Sequence, residues 1–342
     1  MGESYVDMIL WLCKLGEASL RVNPTINIQI PVTVLIPQIN YPSGPIQLKM
    51  PPNIIRLMPP LGVGTFRLKD EAVQQALKNA LDIGYRHIDA AAIYHNEKEI
   101  GDVLQKIHAS PSQTITRSDI WITSKLSPYD MKTPRTSLLK TLASLQTEYL
   151  DLYLIHWPGM ARKSSSSPEN KKLRIQAWNI LNEAKKEGLV RHIGVSNFTS
   201  QHIQELEDET EYGIQGLFVQ MEIHPWYWRD AEEIQKRFEP KGASVVGYAL
   251  LAEGKLLGEH MRDVLDEIAE RLESTRVQVV MSWALKKGFG VLVRSTSMSH
   301  LRQNLDAASL VALLTAEDCA AIDNMSSPDG EEKRCWDPRL VK

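Results

Sequence analysis

Asp89 and Tyr94 stand close together in the stretch HIDAAAIYHNE, from His87 to Glu97. A carboxylate ending a short strand and a phenol in the loop after it can aim two polar groups into one pocket. A lysine ends the next apolar stretch, Lys125 in WITSK, and a histidine ends the one after, His156 in LDLYLIHWP. The types complement one another. A tyrosine with a pKa of about 10 holds its proton at neutral pH and gives it up reluctantly. A buried ammonium nearby stabilises the phenolate and lowers that pKa. A carboxylate on the far side keeps the lysine charged and fixed. An imidazole that donates a hydrogen bond orients a polar oxygen and stabilises charge developing on it. Taken together, these four groups suit proton transfer to a substrate oxygen.

Such groups need rigid supports, and from Leu61 onward the sequence supplies them in a regular alternation. Residues 61–65 read as a strand. Asp70 can cap a helix in which Val73, Ala76, Leu77, Ala80 and Leu81 form one apolar face at helical spacing, and Gly84 ends it. Further strands are expected over 87–90, 120–125, 150–156, 192–197, 217–222, 244–249 and 290–294. Helices are expected over 97–107, 134–145, 172–187, 261–272 and 276–287. Ser164 to Ser167, followed by Pro168, reads as a surface loop of the kind that can border a substrate pocket. Strands alternating with helices imply βα units and a parallel sheet. Eight units favour an α/β protein of the closed (β/α)8 TIM-barrel type, whose chemistry gathers at the strand ends and the loops that follow. Gly62-Val63-Gly64 reads GxG, but Arg67 stands where a third glycine would complete a dinucleotide fingerprint, so a Rossmann site is rejected.

From about Leu61 to Val341 the sequence resembles the aldo-keto reductases, in particular enzymes of the 2,5-diketogluconate-reductase type. The resemblance is carried by HIDAAAIY, ITSKL and YLIHWP. It implies reduction of an aldehyde or ketone by hydride from NADPH, with NADH as an alternative donor. Tyr94 would be the general acid, Lys125 its activator, Asp89 the partner of Lys125, and His156 the group that orients the carbonyl. Ser196 and Asn197 in HIGVSNF and Gln220 in VQMEIHP match positions that bind the nicotinamide carboxamide, and Tyr248 in VVGYALL matches the aromatic that stacks on the ring. Thr65 falls in the same cofactor-binding set. The segment from Leu251 to Leu257, with Gly254 and Lys255, resembles the one that folds over the pyrophosphate. Arg294, Ser295, Thr296, His300 and Asn304 match the segment that reads a 2′-phosphate. Here His300 replaces the usual Arg and Gln303 the usual Glu, which weakens the case for strict NADPH preference. Phe66 (in place of the usual Trp), Trp157 and Trp336 would wall the substrate pocket, with Trp226, Tyr227 and Trp228 as further loop aromatics. Potassium-channel β-subunits and some lens crystallins resemble the same barrel without catalysis. A cofactor-binding or structural barrel is therefore the rival reading, and an α/β-barrel isomerase or lyase without nicotinamide is a third.

Residues 1–55 do not match that family. Pro24, Pro31, Pro37, Pro42, Pro45, Pro51 and Pro52 block a long helix or a central strand there. They are expected to form an accessory, poorly ordered N-terminal extension, with residues 56–342 as the barrel domain. The chain has 342 residues, 43% of them hydrophobic, enough for a large core. A formal charge of −3 gives no reason to expect nucleic acid or an acidic membrane surface as partner. Cys13, Cys319 and Cys335 lack metal-ligand spacing and are expected to be free thiols in a reducing compartment. The apolar run at 8–13 is too short for a secretory core or a membrane span. A cytoplasmic monomer acting on a small-molecule carbonyl, with no metal, is the expectation.

Overall fold

The computed structural model describes residues 58–109, 115–258 and 262–342, so the expected extension over 1–55 lies outside the described residues. In chain order the elements are β1 (Leu61–Gly64), α1 (Asp70–Asp82), β2 (His87–Asp89), α2 (Glu97–His108), β3 (Trp121–Leu126) and α3 (Pro134–Ser144). There follow β4 (Leu150–Ile155), α4 (Glu169–Lys186), β5 (Val190–Ser196), α5 (Ser200–Glu209), β6 (Phe218–Glu222), α6 (Arg229–Phe238) and β7 (Ser244–Tyr248). The chain continues through α7 (Val264–Arg271), α8 (Arg276–Lys286), β8 (Gly290–Val293), α9 (Met298–Leu310) and α10 (Ala316–Asp323). The strands pair in sequence order, all parallel, and β8 returns to β1 through Leu61 opposite Val291. This is the closed (β/α)8 barrel that the alternation implies.

The helices bury apolar stripes against the barrel or against neighbouring helices. In α1, Val73, Ala76, Leu77, Ala80 and Leu81 are all buried, and the chain leaves the helix through Gly84 in the left-handed region at φ 109°. The expected cap at Asp70 is corrected. Lys69 occupies the cap position without a side-chain bond, and Asp70, itself at φ 49°, is the first helical residue. Its carboxylate acts instead as a first-turn charge beside Glu71, favourable at a helix N-terminus. Genuine side-chain caps occur at Thr199, Asp263, Thr275, Ser297 and Thr315. Within the barrel Trp121, Leu152, Leu154, Phe218, Val246 and Leu292 pack together as an inner core, and the strand ends above it are left to polar side chains.

Strand contact leaves no room at Gly194. It is paired with Leu154 on β4 and Phe218 on β6, and a methyl group there would overlap the Phe218 carbonyl oxygen. Gly194→Ala should cost about 1–3 kcal/mol, because the clash is with backbone that cannot rotate away. A lowered urea midpoint with an unchanged slope checks this; an unchanged midpoint would show that the sheet yields more easily than its pairing implies.

Candidate active site

Asp89 ends β2, Lys125 lies one residue before the end of β3, and His156 follows β4. Parallel strands of similar length put these positions at one end of the barrel. Tyr94 arrives from a short helical turn, Ala92–Tyr94, in the loop after β2. The structure therefore brings all four expected groups together. Lys125 is fully buried, and its Nζ donates to Asp89 Oδ1 at 2.7 Å, to the Ala90 carbonyl at 2.8 Å and to Tyr94 Oη at 3.5 Å. The second oxygen of Asp89, Oδ2, accepts from Gln220 Nε2 at 2.7 Å. Thr65 fixes the backbone beneath, since its N and Oγ1 both donate to the Asp89 carbonyl. The His156 ring stands edge-on to the Tyr94 ring at 5.8 Å. Phe66 lies 5.0 Å from Tyr94, Trp157 stacks beside His156, and Trp336 meets Trp157 edge-on at 4.6 Å. An aromatic wall thus borders the phenol and the imidazole.

Burial governs the protonation states. It pushes the Tyr94 phenol well above 10, with the negative field of Asp89 adding to it. The net shift is upward, against the expectation that Lys125 brings that pKa down. At 3.5 Å, with its shorter bonds made to Asp89 and Ala90, the ammonium does not outweigh the loss of solvent. Tyr94 accordingly keeps its proton at neutral pH and is available to donate. Burial also lowers Lys125, while Asp89 opposes the shift. His156 is held well below the usual imidazole range, first by burial and then by the charge of Lys125. A neutral imidazole has one N–H to donate, and among the described residues His156 Nδ1 is buried without a hydrogen-bond partner to fix the tautomer.

The residues expected to meet a cofactor lie around the same rim. Ser196 ends β5, and Asn197 follows in the left-handed region at φ 62°. Asn197 Nδ2 donates to the His156 carbonyl and to Ser196 Oγ, both at 3.1 Å, while its Oδ1 accepts from Tyr248 Oη at 2.5 Å. After Tyr248 the chain runs through Ala249, Ala252, Glu253 and Gly254, all at positive φ, so the segment that includes Leu251 bends sharply at the mouth. Glu253 meets Arg67 from the loop after β1 at 3.6 Å. Arg294, Thr296 and His300 are exposed after β8, Ser295 is half-buried and Asn304 is buried on α9. Among the described residues no cluster of His, Cys, Asp or Glu could hold a metal ion.

A family model described as "Aldo/keto reductase family" matches residues 60–327. The chain belongs to this family. Methylglyoxal reductase DkgA of Escherichia coli (strain K12) is 34% identical over 267 residues, covering 75% of this chain and 87% of the relative. An aldose reductase of Encephalitozoon cuniculi is 33% identical over 282 residues, covering 79% and 90%. Among solved structures, the aldose reductase of Giardia lamblia matches with a TM-score of 0.66 and 31% identity, over 81% of this chain and 93% of that one. This aldo/keto reductase is thus an oxidoreductase by family, built on a (β/α)8 barrel.

Two features of this family member were not anticipated from sequence. Glu222, fully buried at the end of β6, accepts from His224 Nε2, from the Lys333 ammonium and from the backbone N–H groups of Arg334 and Cys335. Burial opposes its charge, but these donors hold its pKa down at about 2. The clamp docks the C-terminal segment that delivers Trp336 to Trp157. Its only sequence signal is the two-residue spacing from Gln220, which puts both side chains on the inner face of one strand. Asn96 is the second feature, with Nδ2 donating to the carbonyls of Thr65 and Leu68 and so tying the Tyr94 loop to the loop after β1. Of the further loop aromatics, Trp228 does not reach the pocket: it packs on Trp283 in the core, while Trp226 lies under Arg334, and Tyr227 lies under Lys333 and donates to Asp230.

The buried imidazole makes a direct prediction. His156 should show no titration by NMR between about pH 6 and 8, since its folded pKa lies below that window. A midpoint near the usual histidine value of about 6.5 would mean that water reaches the ring.

Proposed function

We propose that the protein reduces an aldehyde or ketone to an alcohol, with NADPH as hydride donor and Tyr94 as proton donor. One observation carries the reading: a protonated, half-buried phenol sits beside a buried ammonium and an imidazole, all at the mouth of one barrel. The rim also fits the cofactor. Ser196, Asn197 and Gln220 offer the hydroxyl and amide groups that a carboxamide needs, and Tyr248 offers a flat face beside them. Bound there, a reduced nicotinamide would supply the hydride. The protein's own groups do the rest. His156 donates to the carbonyl oxygen and orients it, and Tyr94 Oη passes its proton to that oxygen as negative charge develops. The Lys125 ammonium stabilises the phenolate left behind, and Asp89 holds the ammonium in place. The phenolate then recovers a proton from solvent. Phe66, Trp157 and Trp336 exclude water and give apolar contact to the substrate. Methylglyoxal, in the name of the E. coli relative, is the first substrate to try.

Tyr94→Phe should lose turnover by about a thousandfold or more while NADPH affinity stays within about threefold, because the proton moves in the transition state and adds little to cofactor binding. Carbonyl-dependent loss of NADPH absorbance and a fluorescence titration read the two quantities. Near-normal turnover in the variant removes Tyr94 from the role, and wild-type protein inactive across a panel of aldehydes and ketones removes the reading.

The cofactor assignment has its own test. Arg294 offers a permanent charge to a 2′-phosphate, and its exposure limits its contribution to about 1 kcal/mol. Arg294→Ala should weaken NADPH about fivefold and NADH hardly at all, while His300→Arg should tighten NADPH alone. Equal changes for both nucleotides would mean that neither residue reads the phosphate.

A further inference from the structure

The hydrogen bond that Tyr94 Oη accepts from Lys125 is long, at 3.5 Å, so the place of the phenol is set largely by the backbone of its loop. That loop is pinned on both sides to successive residues of β3, whose side chains point in opposite directions. On the inner side Lys125 holds Asp89 and the Ala90 carbonyl. On the outer side Glu97, the first residue of α2 and three positions beyond Tyr94, accepts from Ser124 Oγ at 2.6 Å through Oε1 and from Thr141 Oγ1 on α3 at 3.2 Å through Oε2. Glu97 is 8% exposed, and Ser124 and Thr141 are buried as well. Burying a carboxylate is costly, and an apolar side chain would fill the same space between α2, α3 and β3 without that cost. A carboxylate there supplies direction: its bonds fix the height of the loop's far end along β3, beside the lysine that the phenol must meet.

We infer that Glu97 is a positioning residue, which through Ser124 holds the Tyr94 loop in register with Lys125 so that the phenol reaches the carbonyl oxygen. The inference rests on Tyr94 being the proton donor. An acid displaced by about 1 Å can lose up to a hundredfold in rate, and the loss falls on the chemical step rather than on binding. A purely structural role would lower stability and leave the rate per folded molecule alone.

The test compares Ser124→Ala, Glu97→Gln and Glu97→Ala with wild type, using methylglyoxal and NADPH, or the best carbonyl found in the panel. Removing the tether with Ser124→Ala should lower kcat by about tenfold, with the carbonyl KM and the NADPH Kd within about threefold. Glu97→Ala should fall by about ten- to a hundredfold in kcat. Glu97→Gln keeps an oxygen to accept from Ser124 and should recover to within about threefold of wild type. If Glu97→Ala does not fold, the other two variants decide. Ser124→Ala with wild-type kcat overturns the inference whatever its melting temperature, and so does a Glu97→Gln loss as deep as that of Glu97→Ala. Wild-type protein that turns over no carbonyl overturns the reading of the site and the tether together, whereas an active wild type with unaffected variants overturns the tether alone.

Discussion

An ammonium cannot sit in a dry barrel unless something answers its charge. Lys125 is wholly enclosed, and what answers it is Asp89 at 2.7 Å, with the Ala90 carbonyl as second acceptor. An unpaired charge at that depth would cost several kcal/mol. The rest of the site follows from satisfying this pair. Asp89 must be held, so Thr65 grips its backbone and Gln220 its second oxygen from the far side of the barrel. The loop after Asp89 must leave in a fixed direction, so Asn96 and Glu97 fasten it. Tyr94, between those fastenings, is delivered to the ammonium.

The barrel makes this possible because inward side chains form layers. On β6, Phe218 belongs to the apolar core, Gln220 reaches the Asp89 layer, and Glu222 reaches the mouth and clamps the C-terminal segment. One strand thus joins the packed floor, the charged centre and the aromatic wall. The same layering explains the protonation states. Groups at the depth of Asp89 and above are largely withdrawn from water inside the barrel end, so desolvation is the largest influence on Tyr94, Lys125 and His156 alike.

Much of this was legible in the sequence because the signals were local. Strand and helix periods placed every strand of the barrel within about two residues, since apolar spacing records which face is buried. Asp89, Lys125 and His156 could be read because each lies at or beside a strand's end, and a parallel barrel gathers strand ends. What escaped depends on depth and on distant partners. The height of the Tyr94 pKa could not be read, because residue type does not show how far burial outweighs a nearby charge. Glu97 looked like the start of a polar helix; only the approach of Ser124 and Thr141 reveals it as buried. Glu222 gave no sign of its role, because all of its donors but His224 lie more than a hundred positions further along the chain. Trp228 was placed at the pocket on residue type alone, and the fold sends it into the core instead.

The claim that one buried charge pair organises the site is tested most directly by a double-mutant cycle on Asp89 and Lys125. Asp89→Asn and Lys125→Met each leave one buried charge without its counterpart, and each should cost about 3–5 kcal/mol of stability. The double variant should be more stable than either single one, with a coupling energy of about 2 kcal/mol or more from urea unfolding. Strictly additive losses would contradict it, and would mean that the fold holds these side chains in place without depending on their charges.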